Sequence, residues 1–365
     1  MSGRQIGAWS LAIALMGVNA ACGGYRPPIE GPVGGVARPE PIPGTPLTRQ
    51  WTARLARGPS GPVALDSARI YVGAGDRQVL AVELRNGATR WSVRLAGPVV
   101  GGVALAGGRV YAASDRPGGK LHAWDAENGN QAWATRTGYV DVPLTVAGGR
   151  VFALTRRGVL LALDAKTGTK LWQRPVRSAR IAVEPLPGER LLITGYDSLV
   201  VVAQRDGRIL SRQRAPGAML APWVRHAGTL LTATGDSLVV ALDDSTLAER
   251  WRVRLDAPLT APPTLRGDTI YAVTRVGTLY RVLPGPGAEA TRLSSAEWSA
   301  TGAPVALGAW VLVGSSDGAL RAFTEAGEEA WRIPLGRPFE LPPIPLPGGD
   351  FLALGGKGDL TRITP

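Results

Sequence analysis

The sequence predicts an all-β chain: an eight-bladed β-propeller of four-stranded antiparallel blades, the last blade closed by the N-terminal strand. Three observations predict it. An apolar run, a Gly/Asp turn and a second apolar run recur eight times, beginning at Ile70, Val110, Val151, Leu191, Leu230, Ile270, Val311 and Phe351. The steps are 40, 41, 40, 39, 40, 41 and 40 residues, and a unit of that length buries its apolar faces against its neighbours, as repeat architectures do. A tryptophan then recurs one strand further on, at Trp51, Trp91, Trp133, Trp172, Trp251 and Trp331. That register begins ahead of the first unit, so the last unit supplies three strands and the segment 48–55, TRQWTARL, supplies its fourth. Such closure removes the free sheet edges that invite aggregation.

Taken in order, residues 1–21 read as a secretory signal peptide of the lipoprotein type. Arg4 lies in a short basic start, an apolar stretch runs from Ile6 to Val18, and Ala20 and Ala21 precede Cys22. The apolar run is too short for a spanning helix with stop-transfer flanks. Cys22 is the single cysteine of the chain and is followed by Gly23 and Gly24. This junction resembles a bacterial lipobox, in which the thiol is acylated and becomes the new N-terminus. It departs from the pattern at Asn19, where Leu or Val is usual. The plain alternative is a signal peptide cleaved near Ala21, with Cys22 a passenger.

Residues 22–47 change character. From Gly23 onward they hold seven prolines and six glycines, a composition that forms an extended spacer instead of a core. A Pro/Gly-rich tether followed by a propeller over 48–365 is therefore the expected organisation.

Within the ring no segment keeps a helical apolar period, whereas short Val/Ile/Leu/Tyr runs alternate with Gly, Pro, Asp and Asn. For the third unit the expected strands are 142–145, 150–155, 159–164 and 170–174. The turn Asp164-Ala-Lys-Thr-Gly168 recurs at Asp125–Gly129 and, in weaker form, at Glu83–Gly87. Asp hydrogen-bonds its own backbone there and Gly supplies positive φ, so these acids are turn formers first. The tryptophans are expected to wedge between blades, with Arg212 and Arg292 near the vacant positions of the two units that lack one. Pro62, Pro143, Pro222, Pro262 and Pro343 precede the second strands by eight residues, which suits the start of an inner strand.

The formal charge of +12 invites a nucleic-acid reading. Only four of the 41 basic residues are lysines, however, and the arginines are scattered singly with no basic run; no nucleic-acid partner is expected. Neither are a metal or a cofactor. His122 and His226 fall in different units without a second ligand nearby in sequence, His122 as a structural strand residue and His226 on a rim.

The units, most clearly ALDAKTGTKLWQRPV at 162–176, resemble the quinoprotein-type, PQQ-like propeller repeat over about 318 of the 365 residues. That resemblance divides. One branch, the quinone-dependent dehydrogenases, implies an adjacent-cysteine disulfide against the quinone and a calcium ion beside an aspartate base; this chain has no cysteine after Cys22. The other branch, the BamB-type lipoproteins of the outer-membrane β-barrel assembly machinery, combines a lipidated cysteine, a tether and an eight-bladed propeller. It implies a non-enzymatic, monomeric scaffold, lipid-anchored (palmitate-type acylation at Cys22) on the periplasmic face of the outer membrane, with the barrel-assembly machinery as protein partner. In that family an L-S-L-R loop grips the partner, aided by an acidic D-x-D stretch in the next blade. Here the loop reads Arg177-Ser178-Ala179-Arg180, so Ser178 and Arg180 are the candidate contacts, and the next approach, 215–222, carries no acid. A third expectation is a ligand- or cell-wall-binding propeller, for which Trp223 and Trp298 are the loose aromatics.

Overall fold

In the computed structural model the described residues are 47–364, apart from Ala56, Arg116, Pro117, Asp141, Arg177, Ser178, Thr260, Ala296, Glu297, 336–340 and 355–357. Residues 1–46 and 365, and with them the expected signal peptide, Cys22 and the tether up to Pro46, lie outside them. The described residues hold no helix; their strands form eight four-stranded antiparallel sheets. Blades 1 to 7 occupy 64–94, 99–136, 145–175, 179–214, 224–254, 264–294 and 305–334. Blade 8 comprises Ile344–Pro345, Phe351–Leu354, Asp359–Thr364 and, as its outermost strand, Thr48–Arg54.

The closing strand pairs as the repeat count requires: Thr48 stands opposite Thr364 and Arg54 opposite Asp359. Eight apolar clusters fill the ring, and each is shared by neighbouring blades. The cluster that joins Leu352, Leu354 and Leu360 to Ile70, Val72 and Leu80 connects the last blade to the first. Every second and third strand is buried on both faces, as Val151 to Leu154 and Leu160 to Leu163 show, which is why those runs read as continuous apolar stretches. Fourth strands are mostly exposed, with the tryptophan as their buried residue (Thr89–Arg94, Gln131–Arg136).

Two expectations need correction. In blade 3 the inner strand is Thr145–Ala147, not 142–145; the other strands are Arg150–Leu154, Val159–Asp164 and Lys170–Pro175. Pro143 has no N–H to give the ladder, so pairing starts two residues after it, with Thr145 opposite Phe152. The vacant tryptophan positions are Ser211 and Thr291, not Arg212 and Arg292. Ser211 stands opposite Val201 as Trp91 stands opposite Ala81, and Thr291 faces Arg281. The bulge between the third and fourth strands occurs in blades with and without the tryptophan, at Ala81/Val82 in blade 1 and Val201/Val202 in blade 4, so it is the cross-strand pairing that identifies the position.

The tryptophans are wedges between blades, as expected. Trp51, Trp91, Trp133 and Trp172 donate their indole N–H to the carbonyls of Leu84, Ala126, Ala165 and Gln204 in the following blade, at 2.9, 3.0, 3.1 and 3.0 Å. Each ring lies flat on the glycine of that blade's turn. At Gly129 φ is +75° and a Cβ would sit 2.8 Å from the Trp91 ring, so glycine is required on two counts. The turn aspartates act as expected too: Asp164 Oδ1 accepts from the N–H groups of Lys166 and Thr167 at 2.9 and 2.8 Å.

The strand order gives the ring two unlike rims. One carries the turns between strands one and two and between strands three and four. The other carries the turns between strands two and three together with the linkers from each blade to the next.

Candidate functional site

Seven large apolar side chains remain exposed among the described residues; Leu171, Leu210 and Leu283 lie on third and fourth strands, and the other four lie on the linker rim. Tyr139 (44% exposed), Tyr196 (59%), Leu220 (37%) and Val276 (49%) lie there, on the linker between blades 2 and 3, the blade 4 turn, the linker between blades 4 and 5, and the blade 6 turn. Local structure holds them out. Tyr139 precedes Val140, whose bridge to Thr155 pins the linker to the end of a second strand, and the Tyr139 carbonyl accepts from the Arg156 N–H at 2.8 Å. Arg156 caps the Tyr139 ring, its guanidinium carbon 5.8 Å from the centroid, and approaches Asp115 at 3.7 Å. Tyr196 sits at the tip of the tight turn between Gly195 and Ser198, and its carbonyl accepts from the Met219 N–H at 2.9 Å. Leu220 is thereby set beside Tyr196, on a linker bridged at Met219 to Thr234.

Below Tyr139 a groove of about 370 Å³ opens between blades 2 and 3, lined by Thr137, Arg156, Arg157, Lys170 and Gln173 over a floor of Val159 and Leu161. Its charged lining is cationic, whereas Asp236 stands further along the rim and accepts from the Ala218 N–H at 2.6 Å. An acid therefore does stand at the approach to blade 5, supplied by the facing turn and not by 215–222 itself.

Of the sequence-predicted site residues, Cys22 and Ser178 lie outside the described residues. Arg180 belongs to the inner strand Ala179–Leu186, with Ala179 opposite Gly195 at the linker rim; its side chain is not among those described. Trp223 is buried and donates its indole N–H to Thr194 Oγ1 at 3.0 Å, so it offers no surface. Trp298 packs on Phe323 and over the Arg321 guanidinium, 5.0 Å from its ring centroid. The tyrosines and Leu220 escaped sequence reasoning because a turn tyrosine has the same local signal whether its ring folds inward or out.

His122 is a buried strand residue, stacked on Trp124 at 5.3 Å with Ser114 Oγ at 3.1 Å from Nε2. Burial and the neighbouring Lys120 press its pKa down to about 4. His226 is exposed, 3.8 Å from Asp268. Among the described residues no three His, Cys, Asp or Glu side chains gather as a metal would need. Glu184, on the inner strand of blade 4, is one of the few charged residues buried among the described residues. It is 7% exposed, Oε1 accepts from the Trp223 backbone N–H at 3.0 Å, and Oε2 has no partner; burial pushes its pKa up to about 8.

Comparison with known proteins agrees with this architecture. Among solved structures, BamB from Moraxella catarrhalis superposes with a TM-score of 0.71 at 18% identity, over 87% of this chain and 97% of that one. A quinohemoprotein alcohol dehydrogenase from Pseudomonas putida gives 0.63 at 14% identity, over 87% and 75%. At such identities the likeness is one of fold. In sequence, outer membrane protein assembly factor BamB of Burkholderia pseudomallei is 26% identical over 233 residues, 56% of this chain and 59% of that protein. The same factor of Nitrosomonas eutropha is 26% identical over 137 residues, 38% and 32%. The serine/threonine-protein kinase AfsK of Streptomyces griseus is 28% identical over 165 residues, 40% and 20%. The chain thus matches less than two thirds of the length of each of these relatives. The sequence model described as outer membrane protein assembly factor BamB matches residues 47–183, 101–218 and 195–341, which together run through most of the ring. With that match across blades 1 to 7 and the closing strand Thr48–Arg54 of the eighth, the chain belongs to the PQQ-repeat family of the outer membrane assembly factor BamB.

Proposed function

We propose that this protein is a non-enzymatic scaffold of the cell envelope, anchored by lipid on Cys22 to the periplasmic face of the outer membrane, where it assists assembly of β-barrel proteins. The observation that carries the reading is the linker rim, on which Tyr139, Tyr196, Leu220 and Val276 stay exposed while the repeat core buries its own aromatics. Exposed aromatic and aliphatic groups set among charges are what a protein contact uses. Family membership supports the context, and the signal-peptide and tether composition of residues 1–47 supports the location.

The geometry also gives the contact a direction. Residue 47 leads into the strand whose Thr48 faces Thr364, at the rim of the turns between strands three and four. The tether therefore meets the ring on one rim while Tyr139, Tyr196, Leu220 and Val276 stand on the other, which leaves that contact surface free when the anchor is in a membrane. Arg180, on the inner strand that begins at Ala179 on that rim, and Ser178 are retained as contacts within this proposal.

The test is a pull-down from detergent-solubilised membranes with the lipid intact. Co-purification of the barrel-assembly protein, abolished when Tyr196 and Leu220 are both changed to Asp, supports the reading. Capture that is indifferent to those changes, or no capture at all, rejects it.

A further inference from the structure

Positive charge that is scattered along the sequence is gathered by the fold. The eight fourth strands, which make the outer wall of the ring, carry fourteen arginines and lysines against three glutamates, Glu249, Glu289 and Glu329. Charge on an open edge strand ordinarily guards it against pairing with another chain. A guard does not account for apolar groups set among the charges, and blades 3 and 4 have them.

In seven blades the fourth strand bulges at the residue just before the wedge position, which leaves that residue without a partner on the third strand. In blades 1, 2, 5, 7 and 8 it is Arg90, Ala132, Arg250, Ala330 and Gln50. In blades 3 and 4 it is Leu171 and Leu210, which stay 46% and 40% exposed. These two blades are neighbours, and Arg174 Nε joins the fourth strand of one to the Gly207 carbonyl of the other at 3.1 Å.

Both leucines come three residues after the glycine of their blade's turn between strands three and four, Gly168 and Gly207. They therefore stand at the corner where the outer wall meets the rim that the closing strand enters at Thr48. Lys166 and Arg205 on the two turns, and Lys170 and Arg208 beside the leucines, are all exposed. None of the four is paired with a carboxylate among the described residues. The acids of the same turns are engaged with backbone: Asp164 with the N–H groups of Lys166 and Thr167, and Asp206 with that of Arg208 at 2.9 Å.

We infer that this corner of blades 3 and 4 is a lipid-facing patch, on which Leu171 and Leu210 enter the headgroup boundary of an anionic bilayer while Lys166, Lys170, Arg205 and Arg208 lie on its phosphates. Protruding aliphatic groups ringed by long cationic side chains are what an interfacial protein presents to a membrane, and the cations reach the phosphates while their stems cover apolar surface. An anchored ring would turn this corner to the bilayer and keep the linker rim free. That orientation rests on the anchored-scaffold reading; the patch itself does not.

Vesicle flotation tests this with the chain begun at residue 22 and carrying Cys22→Ser, so that neither leader nor acyl group contributes. The expected result is flotation with vesicles of phosphatidylglycerol and phosphatidylethanolamine, none with phosphatidylcholine alone, and release as salt is raised. Leu171→Ser with Leu210→Ser should weaken binding roughly fivefold or more. Lys170→Gln, Arg205→Gln and Arg208→Gln together should weaken it roughly tenfold or more. The same loss of charge elsewhere on the wall, Arg49→Gln, Arg90→Gln and Arg94→Gln, should leave it nearly unchanged. Urea unfolding of each variant should match the parent, since every changed side chain is exposed. Failure to float with anionic vesicles, equal losses from the two charge sets, or binding indifferent to the leucines overturns the inference. Concentration-dependent dimerisation that the leucine changes abolish, in place of vesicle binding, assigns the wall to a second copy and also overturns it. Changing Tyr196 and Leu220 to Asp should leave flotation intact, so loss of partner capture and loss of lipid binding are read separately.

Discussion

The carboxyl of Glu184 in blade 4 accepts a hydrogen bond from the backbone N–H of Trp223, at 3.0 Å, on the approach to blade 5. Equivalent inner-strand positions carry Ala64, Thr145, Val224 and Ile344, so an acid here is peculiar to one blade. With its second oxygen unpartnered and its pKa raised to about 8 by burial, the side chain is held neutral near pH 7.

The pH dependence follows from that. Glu184 binds its proton more tightly folded than unfolded, so its contribution is fully present below the unfolded value near 4.5 and is lost as pH rises towards 8. Stability should therefore decline between about pH 4.5 and 8 through this group. Glu184→Gln keeps the acceptor for Trp223 and should flatten the decline, with a gain on the order of a few kcal/mol at pH 8. Urea titrations of both proteins at pH 5 and pH 8 check it; parallel pH profiles would contradict the assignment.

Trp133 should be worth far more than its exposed strand suggests. Its ring is 8% exposed, and the Ala165 carbonyl it donates to also receives Tyr111 Oη at 3.1 Å and Arg109 Nη1 at 3.0 Å. Trp133→Ala is expected to cost about 3–5 kcal/mol, from lost burial and a cavity between blades 2 and 3. Equilibrium unfolding measures it directly.

Arg321 should behave as a buried tie within blade 7. Its side chain is 4% exposed, paired with Asp317 and with Glu329 at 2.9 Å, beneath Trp298. Burial opposes ionisation of Asp317, yet hydrogen bonds from Ser315, the Ala319 N–H and Arg321 hold its carboxyl below the usual range. Arg321→Ala strands two partly buried carboxylates and should cost roughly 3–5 kcal/mol. The loss should shrink when Asp317→Asn is added, a coupling that a double-mutant cycle detects.

Tyr196 separates contact from stability. It is 59% exposed, so Tyr196→Ala should leave unfolding within about 0.5 kcal/mol. Partner capture should nonetheless weaken at least tenfold, of the order expected for losing an aromatic anchor.

Cys22→Ser removes the thiol that acylation needs. The protein should move from the membrane to the soluble periplasmic fraction, and retention in membranes would reject the anchor.

Architecture was legible because it depends on counting. The spacing of Ile70 through Phe351 and the early Trp51 fix eight blades and their closure without any local assignment. What counting missed was displaced by one residue or set by a side chain's direction. The vacant wedge positions, Ser211 and Thr291, are identified by their pairing with Val201 and Arg281, which leaves no mark in composition. The rim tyrosines depend on bridges such as Val140 to Thr155 and Met219 to Thr234, which join residues 15 apart and hold the linkers in place. Glu184 looked like one more strand residue; only its burial behind Trp223 sets it apart.

The pairing of Thr48–Arg54 with Asp359–Thr364 also decides how the molecule bears tension. If a partner grips the linker rim while the N-terminus is drawn towards a bilayer, the pull runs along the closing strand, from its Thr48 end. Its hydrogen bonds are then loaded together in shear, not opened one after another from a corner. A ring whose final stitch is its first strand thus places its tow point where the ladder is hardest to unzip.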